Sequence, residues 1–496
     1  MTGIEFWTVA AIFGPLVSAL LALNGRAAYI RTALGLGSTV SLVSAGALWW
    51  EVRSGGAGRH LLGGWGQPLG IELWVDGLSV VMLAVTAVVG AAVSLCATAY
   101  FGDLSTITEH RSPAGRAARY FTPLWLLLWT ALNGIFLSGD LFNLYVLIEI
   151  LGIAAAAVVT LAVTAQATAA AMRYLVISLL GSMLFLLGIA LLYIGYGTLS
   201  LEGLAALEPS GPLAAAALVA MTLGLAAKTA LFPFHAWLPP AHAGAPAPGS
   251  ALLSALVVKG SFIILVRLWV HVFAGWDQAA LVVLGAMGGA AILWGSVLAL
   301  RQTSLKRLIA YSTVAQLGYL FVMFPLLPHG PDGWSVDAWN GGIYHALSHA
   351  LAKAAMFLAA GSMSYAVARD AISSIGGVAR RLPMSFVAFG IGGLSLAGIP
   401  PSGGFVAKWL LLRAALEQEA WIWAVVIAGG GLLTVAYVLL VAGHALKGPE
   451  EGGDFRPVPR RMEWAALILA IGAILLGVRA VETLELLAQG GVAPWH

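Results

Sequence analysis

The sequence predicts an all-α polytopic membrane protein of about fourteen transmembrane helices, built from two inverted five-helix repeats that each contain a broken helix. Three observations predict it. Sixty per cent of the 496 residues are apolar and nine per cent are charged, a balance that cannot surround an aqueous core with a polar surface. Apolar windows of roughly 20 residues, the length that crosses the hydrocarbon layer, recur from end to end. Prolines then interrupt two of these windows at matching places. Barrel strands are excluded, because they would alternate in polarity and these runs do not.

Taken in order, the windows fall at 4–23, 29–50, 76–101, 119–138, 140–163, 170–195, 212–236, 246–274, 279–301, 305–328, 339–366, 383–413, 420–446 and 462–488. The first starts at Ile4 with no basic segment before it and no small-residue cleavage pattern after it, so a retained helix is expected rather than a signal peptide. The domain organisation follows: 1–118 holds three N-terminal helices, 119–274 the first five-helix repeat, 279–446 the second, and 447–496 a loop and the last helix. The lone cysteine, Cys96, sits in the third window and reads as a small buried hydrophobe, with no disulfide, iron–sulfur or cysteine-based metal site.

Basic residues fix the expected orientation, since Lys and Arg collect on the cytoplasmic side. Connections after odd-numbered windows hold Arg26, Arg31, Arg111, Arg116, Arg119, Arg173, Arg301, Lys306, Arg307, Arg369, Arg380, Arg381, Lys447, Arg456, Arg460 and Arg461, while the other side holds Arg53 and Arg59. Both termini are therefore expected outside a bacterial inner membrane. Arg267, Arg413 and Arg479 lie near window ends, where long side chains snorkel to the headgroups.

Lys228, Lys259, Lys353 and Lys408 sit deeper, and Glu149 in FNLYVLIEILGIAA is the only carboxylate read as deep in a span. A charge at the bilayer centre costs about 3 kcal/mol, so such residues face the bundle interior and pair or line a water path. Burial disfavours the charged form of a lysine and a nearby carboxylate favours it, so a lysine between the two influences can gain and lose a proton. Glu149 and Lys228 are read as such a pair. One intramembrane lysine reads equally as a structural ion pair, but four lysines and one deep carboxylate do not neutralise one another, which favours proton movement. In YHALSHALAKAAMF, His345, His349 and Lys353 stand four apart and stack along one helical face over roughly 12 Å. Histidine titrates near neutral pH, as a relay needs. Histidines at this spacing also suit a metal, yet no carboxylate or cysteine is placed to complete a shell. His235 reads equally as a relay or as a cap for backbone freed by the prolines around it.

The predicted breaks are at Pro233 and Pro239, with Pro240, after Lys228, and at Pro400 and Pro401 before Lys408. Proline removes a backbone donor and clashes with the preceding turn, so a break inside a membrane needs polar partners or water. Each break falls in the fourth helix of a five-helix group, and an odd number of helices inverts the second copy. Paired interruptions of this kind point to a site at the repeat interface. The expectation is two half-channels of opposite access, joined by polar residues on the eighth and eleventh spans.

These residues carry a resemblance. The chain resembles the antiporter-like subunits shared by respiratory complex I, membrane-bound hydrogenases and Mrp-type sodium/proton antiporters over roughly residues 70–446, through VDGLS, GDLFNLYVLIE, KTALFPFHAWLPPAH, LKRLIAYSTVAQLGY, HALSHALAKAAMF and GIPPSGGFVAKW. The resemblance implies fourteen helices with two inverted repeats. It implies a modulating pair of Glu149 and Lys228, a central axis of Lys259, His345, His349 and Lys353, and an exit half-channel served by Lys408. It also implies assembly with other membrane subunits, homologous antiporter-like ones included, and transport of protons with Na⁺ as a candidate counter-ion. GDLFNLYVLIE and the short segment after the last window are similar to the D-type subunits of Mrp antiporters, toward which this reading leans. HALSHALAKAAMF is more similar to the complex I and hydrogenase members, and that alternative stays open. No nucleotide loop, nucleophile triad, cofactor motif or nucleic-acid motif is found, so any redox chemistry is expected in other chains. A small-solute secondary transporter is the rival class, but would need fewer lysines and more varied donors.

Overall fold

The computed structural model describes residues 3–65, 70–102, 113–275, 278–329, 333–448 and 455–489. Arg111, residues 449–454 of the expected loop and the last residues, 490–496, lie outside them.

The first helices are α1 (Gly3–Ala22) and α2 (Ala27–Gly55), followed by an antiparallel hairpin of β1 (Gly58–Leu61) and β2 (Glu72–Val75) that pairs Gly58 with Val75 and Leu61 with Glu72. Next come α3 (Gly77–Tyr100), α4 (Pro113–Leu137), α5 (Leu141–Thr160), α6 (Ala165–Tyr196), the short α7 (Leu201–Ala206), α8 (Gly211–Thr229) and α9 (Leu238–Gly244). The eighth span runs from α10 (Ala247–Leu252) through a π-helical turn, Leu253–Val257, into α11 (Val258–Arg267), and ends in a second π-helical turn, Leu268–Val272. The remainder comprises α12 (Gln278–Leu300), α13 (Leu305–Leu326), α14 (Val336–Val367), α15 (Val378–Arg381), α16 (Pro383–Ala397), α17 (Gly403–Glu417), α18 (Trp421–Leu446), α19 (Arg460–Val478) and α20 (Ala480–Leu487).

Helix starts follow local chemistry. Asp76, Asp140, Thr164, Ser304, Ser335 and Ser402 each accept a hydrogen bond from the N–H three residues on, supplying one of the partners that a first turn lacks. Among the described residues thirteen helical segments are long and apolar enough to cross a membrane. The predicted twelfth span is the exception: it divides into α16 and α17, each of 15 residues, around residues 398–402.

Two further expectations are corrected. The fourteenth span is shorter than 462–488, because Arg479 leaves helical geometry (φ −103°, ψ 37°) and α20 starts afresh. Its end packs against α14 and the α16–α17 break: the Tyr344 hydroxyl of α14 donates to the Leu476 carbonyl, and a Cβ on Gly477 would lie 2.1 Å from the Pro401 carbonyl oxygen. Pro239 breaks nothing. It stands in the first turn of α9, where a missing N–H is tolerated. The interruption itself lies at Ala230, in left-handed geometry with φ 58°, and at the cis Phe232–Pro233 bond.

The segment 247–272, α13 and α14 are buried along almost their whole length, whereas α1, α2, α6 and α19 keep one side outward. Outward side chains such as Ile194, Val425 and Leu432 are large and apolar, as a lipid solvent allows. Close helix contact uses small residues. Gly181 and Gly224 face each other across α6 and α8 so closely that a Cβ on Gly224 would stand 2.3 Å from the Gly181 carbonyl oxygen.

Candidate functional site

Four lysines end up inside this apolar bundle, and the backbone explains how each is held. Lys228 is the penultimate residue of α8, directly before the break. Its Nζ donates to Ser178 Oγ on α6 (2.9 Å) and to the Ile148 carbonyl (3.4 Å), and lies 3.7 Å from Glu149 Oε1. The expected pair is therefore present as an ion contact rather than a direct hydrogen bond, and Glu149 Oε1 accepts none among the described residues. At the break the Ala227 carbonyl accepts from the Ala230 N–H at 3.2 Å and from the Trp237 indole N–H at 2.9 Å.

Lys408 sits on α17 beyond the second break. A continuous helix would bond the Leu396 carbonyl to the N–H of residue 400, but that residue is Pro400 and has none. Lys408 Nζ donates to this carbonyl instead, at 2.7 Å. The two proline sites thus act differently: one is bridged by a tryptophan, the other by the lysine itself.

Lys259 follows the first π-helical turn and is fully buried. Its Nζ donates to the Ser254 carbonyl inside that turn at 2.9 Å and meets His349 Nδ1 of α14 at 2.5 Å. A π turn in a helix commonly marks a functional position. Four residues before His349, His345 places Nε2 3.1 Å from the Gln316 carbonyl of α13, and the two imidazoles lie 6.0 Å apart. His349 Nε2 and His345 Nδ1 are buried and bond to no atom among the described residues. Lys353, expected to extend this stack, turns to α13, where it donates to the Ile309 carbonyl (3.1 Å) and Ser312 Oγ. The three residues share a helix face, but direct hydrogen bonds do not link them to one another.

His235 stands apart. It is half-buried and stacks on Phe232 at 5.4 Å, while Lys228 bonds to other residues.

Sequence reasoning missed four features. Arg267 does not snorkel: it is fully buried, with Nη1 3.0 Å from Asp76 Oδ2 and Nη2 donating to Asp76 Oδ1 (3.2 Å) and Ser79 Oγ (2.9 Å). Asp76, Asp337 and Glu463 are further acids with little exposure, each at a helix start. His242 on α9 is wholly buried between Trp237 and Phe357, and both its ring nitrogens lack hydrogen-bond partners among the described residues. Tyr319 on α13 touches His345, with ring centroids 5.1 Å apart, and Lys408, whose Nζ is 4.0 Å from its ring centroid. The only signal for the last two was a polar-tipped ring inside an apolar run. Arg413 and Arg479 are exposed and pair with Asp337 and Glu482, as residues near helix ends do.

Among the described residues no cluster of three or more His, Cys, Asp or Glu side chains could hold a metal ion.

Residues 138–434 match the family described as NADH:quinone oxidoreductase/Mrp antiporter, TM. The N-type subunit of NADH-quinone oxidoreductase from Desulforudis audaxviator is 36% identical over 457 residues, covering 88% of this chain and 88% of that protein. The D-type subunit of the Na(+)/H(+) antiporter from Alkalihalophilus pseudofirmus is 32% identical over 397 residues, covering 79% of this chain and 76% of the other. A chain in the Mrp complex from Dietzia sp. DQ12-45-1b superposes with a TM-score of 0.86 at 26% identity, over 98% of this chain and 97% of that one. With buried lysines on broken helices, a histidine pair on α14 and a family match across 138–434, this multi-pass chain belongs to the NADH:quinone oxidoreductase/Mrp antiporter transmembrane family.

Proposed function

We propose that the chain carries protons across a bacterial inner membrane as the D-type component of a multi-subunit cation/proton antiporter. The observation that carries this reading is the contact between Lys259 Nζ and His349 Nδ1 in the most deeply buried part of the bundle. Two basic groups there would repel one another if both were charged, so they are suited to share one proton.

In this reading Glu149 and Lys228 form the modulating pair. The carboxylate stabilises the ammonium, and when the pair loosens the proton moves toward Lys259. His349 and His345 pass it along α14. Lys353 is a side branch anchored on α13, and Lys408 delivers the proton at the second break. Residues 119–274 and 279–446 act as inverted repeats, each supplying one half-channel, and both termini face outside. Partner membrane subunits, homologous ones included, supply the counter-ion route.

A second reading is favoured by the 36% identity to a quinone oxidoreductase subunit: the same axis would then work as a proton pump driven by redox chemistry in other subunits. Inverted vesicles holding the whole complex separate the two. Collapse of a preset pH gradient on adding Na⁺ supports the antiporter, whereas proton uptake that needs NADH and quinone and ignores Na⁺ supports the pump. Lys228→Ala is expected to stop proton movement in either case; unchanged movement would remove the proposed path.

A further inference from the structure

Two members of the proposed proton path meet on a third residue's ring. His345 and Lys408 both contact Tyr319, at 5.1 Å between ring centroids and at 4.0 Å from Nζ to the ring centroid. Tyr319 is wholly buried, and its hydroxyl does not point into the path. It donates to the Ile427 carbonyl of α18 at 3.2 Å. Gly430 keeps that position open, since a Cβ there would lie 2.4 Å from the Tyr319 hydroxyl oxygen. The ring is therefore fixed by its backbone at one end and by this hydrogen bond at the other.

Access differs on the two sides of this contact. A mainly apolar cavity of about 280 Å³ is lined by Lys408 with Gly398, Ile427, Gly431 and the outward-facing Trp409 and Leu432, and neither Tyr319 nor His345 lines it. Lys408 thus reaches a space that the histidines do not. Its contacts among the described residues are the Leu396 carbonyl and the Tyr319 face.

We propose that Tyr319 is a positioning residue for proton transfer between His345 and Lys408: its aromatic face holds the Lys408 ammonium, and its ring closes the axis to the Lys408 cavity until that charge is given up. The physics is specific to the ring. An ammonium is attracted to the negative face of an aromatic ring, and a neutral amine lacks that attraction. A proton arriving on Lys408 seats it on Tyr319 and keeps it from returning toward His345. Its departure frees the amine to turn. No proton passes through the ring itself, so the hydroxyl is an anchor and not a relay. This inference rests on the proton-carrying reading.

The test uses inverted vesicles carrying the complete complex, with driven proton flux and passive proton leak as two readouts and the amount of chain in the membrane as a control. Tyr319→Phe keeps the aromatic face and is expected to hold driven flux within about threefold of the unaltered chain. Tyr319→Leu and Tyr319→Met, both without a π face, are expected to lose about tenfold in driven flux and to raise the passive leak. Two replacements guard against one that fails to insert. Driven flux and leak unchanged in the inserted Leu or Met variant overturn the proposal, and so does a loss in Tyr319→Phe as deep as theirs, because the hydroxyl would then be the working group. Lys408→Ala is measured alongside. If it leaves flux intact, the proton path itself fails, an outcome distinct from failure of the Tyr319 assignment alone.

Discussion

Lys259 Nζ meets His349 Nδ1 at 2.5 Å, a contact that ties the π-distorted eighth span to α14 at the centre of the bundle. Removing the imidazole leaves the ammonium with the Ser254 carbonyl as its remaining hydrogen-bond partner among the described residues. His349→Ala is expected to lower driven proton flux by about tenfold or more while the chain still accumulates in the membrane, read by flux in vesicles and by immunoblot.

The Lys228–Glu149 contact is looser, at 3.7 Å, and the Glu149 side chain keeps 19% of its surface. Ser178 still holds Lys228 when the carboxylate is neutralised. Glu149→Gln should therefore reduce flux several-fold with little change in thermal stability, whereas a Lys228→Ala variant loses flux outright. Equal flux in Glu149→Gln and the unaltered chain would remove Glu149 from the path.

A different outcome is expected at Arg267 and Asp76. Their pair is buried and also fixes Ser79 and the start of α3. Breaking one partner leaves an uncompensated buried charge, typically worth about 3–5 kcal/mol. Asp76→Ala should reduce the folded amount and the unfolding temperature in detergent more than Asp76→Asn, which keeps an acceptor for the Ser79 N–H.

Helix contact gives a fourth prediction. Gly224→Val drives side-chain atoms into the α6 backbone and should destabilise by about 1–3 kcal/mol, seen as a lower unfolding temperature. Gly46→Ala meets nothing within 4 Å and should be neutral or slightly stabilising.

Most of the architecture was legible because lipid imposes a long, continuous apolar pattern that composition and proline position reveal. The deep lysines were legible for the same reason, as isolated charges with apolar flanks. Arg267 was not, since its partner lies 191 residues away and the end of an apolar run looks the same whether a side chain snorkels or pairs. Lys353 was placed on the correct face of α14, but helical spacing could not show that Ser312 and the Ile309 carbonyl would turn it toward α13. Tyr319 and His242 are tertiary findings. A ring inside an apolar helix reveals its neighbours only after the helices pack. The α19–α20 boundary escaped because that helix ends beside the second break, without a proline or a glycine at Arg479.

In the proposed path protons travel through the buried axis at Lys259. Its most direct test is driven proton flux in inverted vesicles carrying the assembled complex with Lys259→Met, which keeps much of the side-chain volume and removes the titratable group. Flux is expected to fall to the level of vesicles lacking the complex while assembly is retained; flux equal to that of the unaltered chain would remove Lys259 from the path.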